Sequence, residues 1–113
     1  CLDGATGNSA IIRPMIGVFD SGLGGLTVLR ALVQRFPAAS FTYLGDHANV
    51  PYGNRPSAEI VDLTRAATEA LFQRDARLVL LGCNTATAVA ARQLQQAWLP
   101  ATHWKAEGRN VLG

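Results

Sequence analysis

A chain of 113 residues, 49% apolar and 16% charged, holds enough apolar material for one compact domain and argues against disorder. Its net charge of +2 is small and its basic residues are scattered, which gives no electrostatic footprint for nucleic acid. No apolar run exceeds four residues, so nothing is long enough to cross a membrane as a helix.

Residues 1–14 are mixed and polar, with no charged start leading into an apolar stretch, and are expected to be a disordered leader or an upstream remnant. From Met15 onward the pattern alternates strand and helix. Ile16 to Phe19 is a short apolar run that ends at Asp20-Ser21-Gly22. Leu26, Leu29, Val33 and Phe36 recur at helical spacing, and Pro37 closes that helix. Phe41 to Leu44 reads as a second strand, followed by a loop rich in Gly, Pro and Asn from Gly45 to about Pro56. Ser57 is suited to capping the next helix, whose buried face is Ile60, Leu63, Ala67 and Leu71. Leu78 to Leu81 is apolar throughout, as expected of a central parallel strand covered on both faces. Ala86, Ala90, Leu94 and Ala97 mark a third helix that Pro100 ends.

This βαβαβα order predicts an α/β fold: a three-layer parallel sheet with helices on both faces and right-handed crossovers. The expected organisation is a leader at 1–14 and an α/β domain at 15–100. Residues 101–113 are then expected to be a linker, with Val111-Leu112-Gly113 opening a further strand of a second domain. His103 and Trp104 fall in that linker.

In parallel α/β sheets, ligands bind beyond the carboxyl ends of the strands. Three such ends occur here, each with unusual residues: Asp20-Ser21-Gly22-Leu23-Gly24-Gly25, then Gly45-Asp46 with Pro51-Tyr52-Gly53, then Gly82-Cys83-Asn84-Thr85. The fold reading puts all three on one rim. The first segment's glycines allow close backbone approach to a ligand, and the helix that opens there offers free N–H groups to a carboxylate. Asp20 is suited to accepting from a substrate ammonium, and Ser21 to donating or accepting. The dinucleotide fingerprint fails, because Thr27 stands where its last glycine is required. A turn that needs glycine for geometry alone explains the same residues.

Cys83 is the sharpest candidate. It follows a buried strand and precedes a helix, a position that favours a thiolate. Asn84 and Thr85 are suited to capping that helix or to holding a small polar ligand. The competing reading is an inert buried cysteine. Tyr52, Asp46 and His47 read more simply as loop residues. The two cysteines, Cys1 and Cys83, are not expected to pair, and no Cys or His spacing suits zinc. A reducing, cytoplasmic setting follows by default.

The segment Ile16-Gly17-Val18-Phe19-Asp20-Ser21-Gly22-Leu23-Gly24-Gly25-Leu26-Thr27-Val28 resembles the opening signature of glutamate racemases. Tyr43-Leu44-Gly45-Asp46 with Pro51-Tyr52-Gly53 resembles that family's second segment, and Cys83-Asn84-Thr85-Ala86-Thr87 the segment around its first catalytic cysteine. The resemblance covers about residues 15–100, in order. It implies a flavodoxin-like first domain of a two-domain enzyme that interconverts L- and D-glutamate without pyridoxal phosphate or metal, supplying D-glutamate for peptidoglycan.

In such an enzyme two cysteines flank the α-carbon: one thiolate removes the α-proton and the other thiol returns one from the far side. By this resemblance Cys83 is the thiol that acts on D-glutamate, and Asp20, Ser21, Tyr52, Gly53, Asn84 and Thr85 are substrate-binding positions. The implied partner is a small molecule, glutamate, with neither nucleic acid nor membrane, and the full-length form is compatible with a homodimer. The family's second cysteine, followed by Thr-His, lies in its second domain. No cysteine follows Cys83 here, and Thr102-His103 is preceded by Ala101, so that motif is not carried over. The expectation is therefore a truncated half, inactive alone. The alternative is a flavodoxin-like module that binds a small anion or nucleotide without catalysis.

Overall fold

The structure, a computed structural model, describes residues 2–3, 15–20, 25–46 and 52–113. Its sheet has five strands: β1 (Leu2–Asp3), β2 (Met15–Asp20), β3 (Ser40–Gly45), β4 (Leu78–Leu81) and β5 (Asn110–Leu112), in the order β1-β3-β2-β4-β5. The last four are mutually parallel, and only the short β1 edge runs antiparallel. Val18 sits opposite Tyr43 on one side and Leu80 on the other, and Asp20 opposite Gly45. Among the parallel strands, the step from β2 to β3 moves one way along the sheet and the steps to β4 and β5 move the other way, which puts a topological switch point between β2 and β4.

Helix α1 (Gly25–Arg35) covers one face, where Leu29 and Leu32 pack with Val18, Phe41 and Tyr43. Helix α2 (Ser57–Gln73) covers the other with Ile60, Ala67, Leu71 and Phe72, against Phe19, Val79, Leu81 and Val111. Gly17 lets α2 close onto β2, since a Cβ there would sit 3.1 Å from that of Leu71. Thr64 and Thr68 are buried on α2, and their hydroxyls donate to the carbonyls of Ile60 and Thr64 one turn back. A third helical segment, residues 84–101, lies on the same face. It opens as α3 (Asn84–Ala86), widens into π turns at Thr87–Ala91 and Leu94–Trp98, and tightens into a 3-10 turn at Leu99–Ala101. The α/β reading with helices on both faces holds.

Several details depart from the sequence reading. On α1, Val33 and Phe36 are exposed, and the face that packs is Leu29 with Leu32. Periodicity gave a stripe; the tilt of the helix over two strands chose its edge. The α1 layer packs on residues of β2 and β3, so Leu78 and Leu80 of β4 are only half-buried on that face, while Val79 and Leu81 are buried beneath α2. Pro56 occupies the N-cap of α2 and Ser57 is its first helical residue, without a capping hydrogen bond. Ala97 faces solvent, whereas Ala86, Ala90 and Leu94 are buried as expected. Of the expected leader, Leu2 and Asp3 pair with β3, and residues 4–14 lie outside the described residues.

The largest correction concerns residues 101–113. The segment forms a short helix, α4 (His103–Ala106), and then β5, which joins the same sheet beside β4. Trp104 and Arg109 are buried. The Arg109 guanidinium donates to the carbonyls of Phe72 at 2.6 Å and Ala76 at 2.8 Å, pairs with Glu107, and lies 4.9 Å from the Trp104 ring centre. Phe72 and Trp104 are in turn 5.5 Å apart. A linker has no reason to bury a tryptophan and an arginine together; a sheet edge that must be tied to the end of α2 does.

Candidate active site at the carboxyl rim of the sheet

The three strand ends converge as a parallel sheet requires, and backbone hydrogen bonds tie them together. The Asp46 N–H donates to the Asp20 carbonyl at 2.9 Å, and the Gly82 N–H to the Phe19 carbonyl at 2.7 Å. Gly82 suits that close approach, because a Cβ there would lie 3.3 Å from the same carbonyl oxygen. Asp20 and the Gly82-Cys83 pair therefore flank the switch point between β2 and β4.

Asp20 closes β2 and is fully buried. The Tyr43 hydroxyl, two-thirds of the way along β3, donates to its Oδ2 at 3.2 Å. Burial, then the Asp20 charge, then this hydrogen bond raise the Tyr43 hydroxyl above its ordinary value of 10.0, so it remains a donor at neutral pH. Sequence reasoning quoted Tyr43 within a segment but did not single it out. The available signal was its place on the same strand face as Val18, two residues short of the level of Asp20.

Cys83 occupies the N-cap position of α3 in an extended conformation, and its carbonyl accepts from the Thr87 N–H at 2.9 Å. Its side chain is free of any disulfide, 8% exposed, and packed within the main apolar cluster. The helix begins at Asn84, as expected, yet no side chain caps it: Asn84 is exposed at the first helical position and Thr85 is half-buried. The Asn84 side chain is thus exposed beside the rim. The turn Tyr52–Asn54 comes up against α3, with Gly53 exposed beside it. So Asp20, Gly53, Cys83, Asn84 and Thr85 lie on one rim. Ser21 and the side chain of Tyr52 lie outside the described residues, as do His47 and Pro51.

Among the described residues no group of three or more His, Cys, Asp or Glu side chains is placed to hold a metal ion. No described helix is long and apolar enough to cross a membrane. An open groove of about 670 Å³, lined by Thr87, Ala91, Arg92, Gln95 and Gly113 among others, runs along the 84–101 segment beside the rim. A smaller one of about 300 Å³ includes Gly45 and Asp46 at the end of β3. Neither contains Cys83, and the loops 21–24 and 47–51 that continue from the ends of β2 and β3 are outside the described residues.

No family model matches the chain. Among curated proteins it is 65% identical over 100 residues to a glutamate racemase of Caulobacter sp. (strain K31), an alignment covering 87% of this chain and 35% of that relative. Among solved structures it resembles the glutamate racemase of Aquifex pyrophilus, with a TM-score of 0.74 and 36% identity, over 88% of this chain and 36% of that one. It also resembles the glutamate racemase of Francisella tularensis, solved in complex with D-glutamate, with a TM-score of 0.71 and 33% identity over 88% of this chain and 34% of that one. The chain spans about a third of the length of the relatives it matches. In sequence and in fold, this chain corresponds to the N-terminal part of glutamate racemases.

Proposed function

We propose that the chain is the part of a cofactor-independent glutamate racemase that supplies one of two acid/base thiols, Cys83, together with part of the glutamate site. The observation that carries this reading is the placement of Cys83, Asn84 and Thr85 at the start of α3, beside the switch point, in a chain 65% identical to a glutamate racemase. The Francisella structure with D-glutamate supports a small acidic amino acid as the ligand.

In this reading Asp20 accepts from the substrate ammonium, and Asn84 and Thr85 hold its amino-acid head group. Ser21, Tyr52 and Gly53 complete the binding residues. The Cys83 thiolate removes the α-proton of D-glutamate, and a second thiol delivers a proton to the opposite face. The α-proton is weakly acidic, so much of the acceleration comes from positioning the substrate and stabilising the carbanion. No cysteine follows Cys83 in these 113 residues, and one thiol serves one face, so the chain by itself racemises negligibly. Within the whole enzyme the product is D-glutamate for peptidoglycan, made in the cytoplasm, where thiols stay reduced.

The alternative, a binding module without catalysis, draws on one observation: Cys83 is 8% exposed and packed among apolar residues, as an inert cysteine would be. Iodoacetamide labelling of Cys83 at neutral pH separates the two. Labelling slowed severalfold by D-glutamate supports the racemase reading. A slow thiol indifferent to glutamate supports the module.

A further inference from the structure

The Tyr43 ring is fixed before its hydroxyl does anything. It stands opposite Val18 in the β2–β3 register, packs with Val18 and Phe41 beneath α1, and is 7% exposed. With the ring held, the hydroxyl has little freedom, and it points along the strand direction to Oδ2 of Asp20, two residues beyond Val18 on the same face. A hydroxyl bound to one carboxylate oxygen sets the rotation of the whole carboxylate plane. Burial around the pair keeps competing water away from that bond.

Resting on the glutamate-site reading above, we infer that Tyr43 is a positioning residue that orients the Asp20 carboxylate toward the substrate ammonium. Tyr43 itself touches no substrate. Its contribution is to fix the position of Oδ2, and with it the plane of the carboxylate. A tyrosine that merely fills space under α1 would support every ligand of the rim equally. One that aims Asp20 supports only ligands with an ammonium group.

That difference is measurable in a chimaera in which residues 15–113 replace the matching segment of the Caulobacter glutamate racemase, with Cys83→Ser to prevent turnover, by NMR titration of the Asn84 and Thr85 amides with D-glutamate and with glutarate, which lacks the ammonium. Tyr43→Phe is expected to weaken D-glutamate about tenfold, the scale of a hydrogen bond to a charged group, while leaving glutarate within twofold. In an Asp20→Asn background, the same Tyr43→Phe change is expected to alter D-glutamate binding by less than twofold, because the charge that Tyr43 aims is gone. Equal weakening of both ligands, or an undiminished effect in the Asp20→Asn background, overturns the inference and leaves the glutamate site standing. If the chimaera with Tyr43 and Asp20 intact binds neither ligand, the substrate reading itself falls, and the inference with it.

Discussion

Each end of the sheet buries a charged residue beside an aromatic one, and the two are built to different ends. At the amino edge of the strands, Arg109 is closed in by its own chain. The carbonyls of Phe72 and Ala76, the Glu107 carboxylate and the rings of Phe72 and Trp104 satisfy its donors and its charge. At the carboxyl rim, Asp20 is held by Tyr43, and its neighbours are an exposed Asn84, an exposed Gly53 and a helix start without a side-chain cap. The amino edge spends its polar groups on itself. The rim buries Asp20 but leaves Gly53 and Asn84 exposed beside an uncapped helix start, as an open ligand site requires. A buried charge alone therefore says little about function; what matters is where its neighbours' hydrogen-bonding groups point.

Breaking the amino edge gives the largest expected loss of stability. Arg109→Ala removes the guanidinium donors to two buried carbonyls, of which Phe72 keeps the Asp75 N–H, and removes the cation between two rings, for a cost of about 3 kcal/mol. Urea denaturation reads that value directly. Because Arg109 helps tie α4 and β5 to the end of α2, hydrogen exchange is expected to rise across 103–112 before it rises at β2. A loss below about 1 kcal/mol contradicts the role given to Arg109.

A smaller effect sharpens the rim. The folded chain holds the Tyr43 proton more tightly than the unfolded chain does, since burial and the Asp20 carboxylate disfavour the phenolate. The stability contributed by this group is complete below about pH 10 and declines as pH rises through the folded value. Tyr43→Phe is expected to flatten that alkaline decline, measured as the denaturation midpoint between neutral pH and pH 11. An unchanged slope would mean that burial and the Asp20 carboxylate do not hold the phenol's proton in the folded chain.

The sequence made the rim more legible than the amino edge, for a physical reason. Rim chemistry sits at strand ends, and a parallel α/β order brings all strand ends to one side, so Asp20, Gly82 and Cys83 could be placed together from local patterns. Arg109 and Trp104 make sense only through Phe72, more than thirty residues earlier, and no local period connects them. Read locally, they looked like linker. The exposure of Val33 and Phe36 was hidden for a related reason: spacing identifies a helix and its stripe, and tertiary tilt decides which edge of the stripe is buried. Capping was misjudged at both helix starts. Ser57 and Asn84 have the right chemistry, but each sits one residue inside its helix, and neither helix start has a side-chain cap.

The central claim is that Cys83 is one of two racemising thiols. Placing residues 15–113 in the Caulobacter relative, in place of its matching segment, supplies the two-thirds of an enzyme that this chain does not span. Racemisation is then followed by circular dichroism, starting from D-glutamate. The account predicts turnover by the chimaera and a loss of about a thousandfold or more in its Cys83→Ser form, the order expected when a general acid/base group is removed. A Cys83→Ser chimaera that racemises as fast as its parent would contradict it.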